Sequence, residues 1–453
     1  MAVTIERDAA SGGMLDDLPL SSFQAWSVLM IAATVILDGL DNQMLGLAAP
    51  SLLKEWGITK AALGTVFALG FVGMAIGTLA SGWIGDRFGR RWALLFGVGI
   101  FGVATLFTGF ANSLVMAAIL KTIAGIGLGG VPGTASAMIA EFTPTRWRSV
   151  AVTFGVVCVS IGGIVGGVAA ALILPALGWR WLFYIGGTVT LVFTAALWAL
   201  LPESPRYLAE RPSRRIELSA MLRRIGHPYP DADHRLRRDA VDAAKVPMSA
   251  LLSALLRRDT IALSIAMLAG MFMIYLMFNW APTMLSSAGF APAAASLGLT
   301  SFNIGGTIGA LIAAVIILRA GSRIPLVLMA LVGVSICAFL AVLPIGGGHN
   351  EPALLAGLCG LGLFASAAQS AMFAVGAYAF PTAVRARGLG LMGAAGRIGA
   401  ILSALSGATL IGAGNLGFFG VLAGLMVVNA IGFALIRGHI PRIARDVPVT
   451  VTV

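Results

Sequence analysis

The amino-acid sequence predicts an all-α membrane protein whose twelve transmembrane helices form two pseudo-symmetric six-helix bundles. Of the 453 residues, 58% are hydrophobic and 11% are charged, whereas about 25% of residues are charged in an average soluble domain. Twelve apolar runs approach the length of about 20 residues that a helix needs to cross the hydrocarbon core of a bilayer. One long polar stretch separates six of these runs from the other six, which predicts two bundles joined by a linker.

The bounds of the elements follow from these runs, because each run ends where charged or turn-forming residues begin. The predicted spans are residues 25–48, 61–83, 92–111, 114–140, 149–174, 179–201, 259–285, 293–318, 324–345, 352–378, 386–411 and 415–436. The predicted organisation is a cytoplasmic tail at 1–22, an N-terminal six-helix bundle at 23–201, a cytoplasmic linker at 202–258, a C-terminal six-helix bundle at 259–437 and a cytoplasmic tail at 438–453.

The positions of the basic residues predict the orientation of the chain. The net charge is +11, and of the 30 lysines and arginines 25 lie on one side of the predicted spans, three lie on the other side and two, Lys121 and Arg397, lie well within spans. Arg180 and Arg387, which stand at span ends, are counted with the segments next to them. Basic residues accumulate in the cytoplasmic segments of membrane proteins. We therefore expect both termini to be cytoplasmic. The basic excess reflects orientation in a lipid bilayer, so no nucleic-acid partner is expected.

The two halves of the chain carry related sequences. Glu141-x-x-Pro144-x-x-x-Arg148 follows the fourth span, and Tyr378-x-x-Pro381-x-x-x-Arg385 follows the tenth. Such repeats are typical of transporters that are built from related bundles. The pattern therefore supports a duplicated architecture.

Two carboxylates lie deep in the first predicted span. Asp38 is roughly 21 Å along a helix that begins near residue 24, and the i, i+3 spacing places Asp41 on the same face. Acids at this depth by default mark a proton, ion or substrate path; the alternative is a structural hydrogen bond. None of the four histidines lies in a predicted span. Proton coupling is therefore assigned to Asp38 and Asp41, with Glu141 as the next candidate.

Arg397 lies near the middle of the eleventh predicted span and requires an anionic partner there. Either an aspartate of the first span holds it permanently, or a substrate carboxylate shares it. We favour the exchange of partners, because a carrier needs binding free energy that differs between its states. Lys121 in the fourth span is the other basic residue within a span, and it is predicted to be a secondary anion contact.

The seventh and tenth spans carry polar and aromatic residues that suit a ring with hydroxyl groups. We predict substrate contacts from Tyr275, Asn279, Trp280, Gln369 and Ser370. The alternative for each of them is helix packing in which polar groups link neighbouring helices.

The loop after the second span reads GWIGDRFGRR, from Gly82 to Arg91. It resembles the signature of the major facilitator superfamily. The resemblance implies that fold, and it implies that Asp86 forms ion pairs with arginines that hold one gate state. The residues assigned to gating are Asp86, Arg87, Arg90, Arg91 and Arg148.

Further motifs are similar to those of the aromatic acid:H+ symporter family of 4-hydroxybenzoate- and protocatechuate-type transporters. They are DGLD at 38–41 with APSL at 49–52, GIGLGG at 125–130, AEFTPTRWRS at 140–149, PESPRYL at 202–208 and RARGLGLMGAAGRIGA at 385–400. The resemblance covers essentially the whole chain and implies functional roles for Asp38, Asp41 and Arg397. One position departs from the family, because Lys121 stands where an arginine is usual and lacks the planar fork that grips a carboxylate.

We therefore predict proton-coupled uptake of an aromatic carboxylate, such as a hydroxybenzoate, across a bacterial cytoplasmic (inner) membrane. The partners are a small organic anion, H+ and the bilayer, and the expected functional unit is a monomer. We expect no enzyme activity, no metal and no cofactor other than the proton gradient. The alternatives are a symporter of a non-aromatic, muconate-like acid, a drug or metabolite:H+ antiporter, and a membrane sensor with a transporter-like fold.

Overall fold

The computed structural model describes residues 20–226, 251–253 and 256–442, and within those ranges the regular structure is helical without strands. The greater part of both predicted tails, and residues 227–250 of the predicted linker, lie outside the described residues. Twelve helices in the described ranges are long and apolar enough to cross a membrane. The predicted fold class is therefore confirmed.

The long helices of the N-terminal half are α1 (Ser22–Trp56), α2 (Lys60–Phe88), α3 (Arg90–Thr108), α4 (Leu114–Phe142), α5 (Thr145–Leu177) and α6 (Trp179–Leu200). Two short helices follow, α7 (Pro205–Ala209) and α8 (Arg215–Ile225). The long helices of the C-terminal half are α9 (Arg257–Ser287), α10 (Pro292–Ala320), α11 (Arg323–Val342), α12 (Glu351–Ala379), α13 (Thr382–Gly412) and α14 (Gly414–Leu435).

Several helices extend beyond the predicted spans, and α1 does so most clearly. Ser21 caps its start in a reciprocal capping box with Gln24, which satisfies backbone donors that the first turn leaves free. The helix continues through Pro50 and ends at Gly57, whose φ of 62° is left-handed. Hydropathy finds the part of a helix that crosses the apolar core, whereas capping and glycine decide where the helix ends.

Each half packs in the same pattern. Helix α1 packs on α5, α2 on α4 and α3 on α6, and the C-terminal half repeats these pairs as α9 on α13, α10 on α12 and α11 on α14. Glycines allow the closest of these approaches. A Cβ at Gly73 would lie 2.2 Å from the Thr122 carbonyl oxygen, and one at the repeat-related Gly305 would lie 1.8 Å from that of Cys359.

The start of α1, the α2–α3 and α4–α5 connections and the short helices α7 and α8 lie at one end of the molecule, which we call the linker face. The opposite end, which contains the α1–α2 connection, is the far face. Hydrogen bonds and ring contacts between the two bundles, within the described ranges, lie from mid-height to the far face. They join Gln43 to Asn303, Lys60 to Ser287, Met74 to Arg397, Phe67 to Trp280 and Phe71 to Tyr275. The bundles are therefore closed against each other on the far side.

Candidate functional site

Asp38 and Asp41 of α1 are both buried at mid-height, with 2% and 3% exposure, but their surroundings differ. The Asp41 carboxylate accepts a hydrogen bond from the hydroxyl of Thr105 on α3 and lies 3.5 Å from the Lys121 ammonium on α4. Asp38 Oδ1 has no hydrogen-bond partner among the described residues. Asp41 is thus held by a hydroxyl donor and an ammonium, although its Oδ2 has no hydrogen bond. Asp38 has neither a hydrogen bond nor a salt bridge among the described residues.

Lys121, which was predicted to contact the substrate anion, is paired with an anionic side chain of the protein itself. Its ammonium lies beside the Asp41 carboxylate and contacts the Asp41 backbone carbonyl at 3.4 Å. Its stem runs across Gly70 of α2, where an added Cβ would lie 3.0 Å from the Lys121 Cγ. An ammonium buried in the membrane is costly without a counter-charge, so the ion pair with Asp41 accounts for its position.

Arg397 of α13 lies between the bundles at mid-height. One of its terminal nitrogens donates to the Met74 sulfur of α2 at 3.2 Å, and no carboxylate of the described residues forms a salt bridge with it. In this conformation, therefore, neither Asp38 nor Asp41 forms a salt bridge with the Arg397 guanidinium. A thioether is a weak acceptor, so the strong donors of Arg397 are available to an anion.

Aromatic side chains lie next to this position on its far side. Phe71, one turn from Met74 on α2, meets Tyr275 of α9 edge to face with 4.6 Å between ring centroids. Tyr275 is partly exposed, and its ring also contacts Phe278 at 5.9 Å. These rings lie between the bundles on the far-face side of the Met74–Arg397 contact.

Trp280 is fully buried and serves helix packing. Its ring fills the space beside Gly64 and Gly407, and its indole N–H donates to the Ala404 carbonyl at 3.2 Å. The helix-packing alternative therefore describes Trp280 in this conformation, because its ring and its donor are both engaged within the protein.

The other polar residues of α9 and α12 that were predicted to contact the substrate differ in whether their polar atoms already have hydrogen-bond partners. Asn279 is 3% exposed and lies beside Gly46 of α1, and its Nδ2 has no partner among the described residues. Gln369 is 7% exposed, its Nε2 donates to the Met267 sulfur and its Oε1 has no described partner. Ser370 is partly exposed. Asn279 and Gln369 therefore keep buried polar atoms that a polar substrate group can satisfy.

The predicted gating residues lie at the linker face, but their partners differ from those expected. Glu141, which was predicted as a possible proton site, lies there too and pairs with Arg90 at 3.0 Å. Its carboxylate also accepts a hydrogen bond from Ser204. Arg148 donates to the Ala140 carbonyl at 3.0 Å. The Glu141–Arg90 ion pair thus lies at the linker face, apart from the α1 acids.

Asp86 is exposed, and no salt bridge to its side chain occurs within the described ranges. Instead, Glu203 at the end of α6 caps the start of α3 by accepting from the Arg91 backbone N–H at 3.0 Å. The Arg91 guanidinium donates to the Trp198 carbonyl, and Arg87 lies over the Trp83 ring at 5.6 Å. The acids that bind this cluster therefore come from α4 and the linker, a pairing that the loop motif alone does not reveal.

Sequence reasoning missed Thr105, Met74, Glu203 and Ser204. Glu203 and Ser204 lie in the PESPRYL motif, which offered a signal, whereas Thr105 and Met74 are single residues in apolar runs. Only the packing of α3 and α2 against neighbouring helices brings the latter two to the site.

A model of the Major Facilitator Superfamily matches residues 31–346. The chain is 33% identical to a gallate transporter of Pseudomonas putida, over 94% of both proteins, and 32% identical to the 4-hydroxybenzoate transporter PcaK of the same organism, over 92% of both. The fold is similar to that of the xylose transporter XylE from E. coli in an inward-open conformation, with a TM-score of 0.73 at 18% identity over 92% of this chain and 97% of that one. The chain therefore belongs to the major facilitator superfamily and, within it, to the aromatic acid transporters that its motifs resemble.

Proposed function

We propose that this protein takes up an aromatic carboxylate together with a proton by alternating access. Arg397 carries the proposal, because this guanidinium lies between the bundles at mid-height with a thioether as its described partner. The gallate and 4-hydroxybenzoate transporters bear the names of aromatic acids, and we extend that substrate class to this chain. One chain supplies both bundles, so a monomer is sufficient for the site.

The anion binds at Arg397. A carboxylate accepts two parallel N–H bonds from a guanidinium, which is the strong geometry available to arginine, and it displaces the weaker Met74 contact. The aromatic ring then faces Phe71 and Tyr275, which prefer edge-to-face or offset contacts with another ring. Hydroxyl groups on the ring are offered the free polar atoms of Asn279 and Gln369.

Asp38 carries the proton. Asp41 is stabilised as a carboxylate by the Lys121 ammonium and the Thr105 hydroxyl. Asp38 is equally buried, but no described donor or cation forms a hydrogen bond or salt bridge with its carboxylate, and a buried charge without such a partner is costly. Two carboxylates whose surroundings differ in this way take different roles. Asp41 therefore remains the charged partner of Lys121, and Asp38 gains and loses a proton.

The charges at mid-height then balance. With Asp38 protonated, Asp41 and Lys121 cancel and Arg397 leaves a net charge of +1, which one monocarboxylate neutralises. A loaded site without net charge can change its exposure across the bilayer at the lowest electrostatic cost. The proposal therefore specifies one proton for each monoanion and uptake without net charge movement.

Alternating access requires the far-side contacts to open and a second set of contacts to form at the linker face. We propose that the linker face is cytoplasmic, as the positive-inside pattern predicts. The cluster of Arg90, Arg91, Glu141 and Glu203 then lies where the cytoplasmic gate closes.

The test compares labelled 4-hydroxybenzoate uptake into proteoliposomes with competition by unlabelled acids. Gallate and 4-hydroxybenzoate should compete, whereas the amide of 4-hydroxybenzoate and the dicarboxylate muconate should not, because the first lacks the anion and the second adds an uncompensated charge. Arg397→Ala should abolish binding, since loss of one partner of a buried charge contact costs about 3–5 kcal/mol. Equal competition by the amide would overturn the organic-anion proposal, and preferential competition by muconate would move the substrate to the dicarboxylates.

A further inference from the structure

A groove of about 330 Å³ lies on the outer surface of the C-terminal bundle, between α9 and α14 at the linker face. Its walls are exposed apolar side chains, with Ile261 and Ile265 on α9 and Ile431 and Leu435 on α14. Its floor contains Gly432, where an added Cβ would lie 2.9 Å from the Ala266 Cβ. The missing side chain lets the two helices approach closely while their larger residues diverge, which forms the groove.

The groove is long enough to hold part of an acyl chain. It extends over about two turns at the start of α9 and the end of α14, which is roughly 10 Å along the helix axis. One end lies where α9 begins and α14 ends at the linker face, and the other lies about two turns closer to mid-height. An ordinary lipid-facing helix surface is convex, whereas this one is concave.

Arg258 stands at the end of the groove near the linker face. Its Nε donates to the Leu435 carbonyl at 2.8 Å, a backbone acceptor that the end of α14 leaves without an intrahelical partner. This bond fixes the stem of the side chain, and no described residue binds its two terminal nitrogens. The arginine therefore presents a pre-positioned pair of donors at headgroup level.

The charge around this end is positive. Arg257 and Arg437 are exposed at the same helix ends. Asp259 is the acidic residue at this end of the described C-terminal bundle, and it is 6% exposed because its carboxylate accepts the backbone N–H groups of Arg437 and Gly438. The acid thus points into the protein, and the arginines face outward.

We propose that this groove is a binding site for one anionic phospholipid of the leaflet at the linker face. One acyl chain occupies the groove between α9 and α14, and the phosphate accepts hydrogen bonds from Arg258. A free phosphate would leave the apolar walls uncovered, and a zwitterionic lipid would bring a positive headgroup next to three arginines. Charge and shape together therefore select an anionic lipid with an acyl chain.

The test uses the full-length protein in detergent with added dioleoylphosphatidylglycerol, and native mass spectrometry counts the lipids that remain bound. The wild type should retain one phosphatidylglycerol under activation that removes the others, and phosphatidylcholine should not replace it. Arg258→Gln should weaken retention about tenfold, as loss of a charge-assisted hydrogen bond does. The matched control is Arg319→Gln, which removes the same charge from an exposed arginine at the linker end of α10 and should leave retention unchanged.

A second variant tests the binding of the acyl chain of the lipid separately from the binding of its headgroup. Val428 of α14 lines the groove at the end away from Arg258, so Val428→Trp narrows the groove there and keeps the arginine. This variant should also lose the retained lipid, while the thermal unfolding of the lipid-free protein stays within a few degrees of the wild type. Equal loss in Arg258→Gln and Arg319→Gln would show that bulk charge alone attracts the lipid. Stabilisation of the protein by inorganic phosphate to the same extent as by the lipid would show a simple anion site. Either result overturns the proposal.

Discussion

The amide pair between Gln43 and Asn303 offers a quantitative test of the far-side closure. The two side chains are 0% and 1% exposed and exchange two hydrogen bonds across the bundle interface, at 3.3 and 2.8 Å. The pair fits because Gly163 of α5 has no side chain, and a Cβ there would lie 2.2 Å from the Gln43 amide nitrogen. Opening the far side must separate these groups.

Gln43→Leu should shift the protein away from the far-closed conformation. The change removes both bonds and leaves the Asn303 amide buried with only the Leu299 carbonyl as a described partner. Leaving a buried polar group unsatisfied costs about 1–3 kcal/mol. A loss of about 2 kcal/mol in one state corresponds to roughly a thirtyfold change in the ratio of the two conformations. The double variant Gln43→Leu/Asn303→Leu should be closer to the wild type than either single variant, because replacing both partners leaves no unsatisfied amide.

The assay is a distance measurement across the far face by electron spin resonance. Spin labels at Lys60→Cys and Ser287→Cys report the separation of two side chains that are 3.0 Å apart in this conformation, after the native cysteines Cys158, Cys337 and Cys359 are replaced. The single variant should populate a longer distance that is minor in the wild type, and the double variant should reverse most of the change. Additive effects of the two single substitutions, or an unchanged distance distribution in Gln43→Leu, would show that this amide pair does not hold the far side closed.

Three further predictions concern charged groups. Arg397→Lys should raise the Michaelis constant for uptake at least tenfold, because an ammonium cannot give a carboxylate two parallel donors; wild-type uptake by this variant would place the anion elsewhere. Lys121→Gln should lose uptake and stability by about 3–5 kcal/mol, because it leaves the Asp41 carboxylate buried without its counter-charge, whereas Lys121→Arg should keep both; thermal shift and uptake together decide this. Burial holds the pKa of His439 below its ordinary value despite its bond to the Phe433 carbonyl, so its contribution to stability falls as the pH drops through the unfolded value of about 6.5. The protection of the amides of residues 436–442, taken as the intrinsic exchange rate at each pH divided by the observed rate, should fall between pH 7.5 and 5.5 in the wild type and fall less in the His439→Gln variant.

The sequence was sufficient for the fold because membrane burial imposes a strong and simple pattern. A long apolar run has few alternatives to a spanning helix, and the break after Leu201 divides the twelve runs evenly. The depth of Asp38 and Arg397 follows from helical rise alone. Helix ends were less accurate, as α1 shows, because a polar last turn outside the apolar core remains helical until Gly57.

The pairing of charges could not be predicted in the same way. That Asp41 meets Lys121 and Thr105 depends on the rotation of α3 and α4 about their axes and on the space left by Gly70, and neither is encoded by local periodicity. The same is true of Glu141, which the sequence placed near a span end but which only the packing of the linker brings to Arg90 and Ser204. The sequence thus identifies the charged side chains that need a partner within or near the membrane, and the tertiary structure shows which residues those partners are.

In the proposed transport cycle, one proton enters with each aromatic monoanion and Asp38 carries it. The direct measurement is the change of internal pH when 4-hydroxybenzoate is added to proteoliposomes that have no initial gradient and contain a pH-sensitive dye. Protein-free vesicles correct for passive entry of the protonated acid, and counterflow of labelled substrate shows that a variant still binds and moves its substrate.

Substrate addition should acidify the interior of wild-type vesicles with one proton for each molecule taken up. An imposed membrane potential should leave the initial rate unchanged. Asp38→Asn should lose the acidification and retain counterflow, whereas Asp41→Asn should lose both because it disrupts the pair with Lys121. Internal alkalinisation on substrate entry would establish antiport, and acidification that persists in Asp38→Asn would contradict the assignment of the proton to that carboxylate.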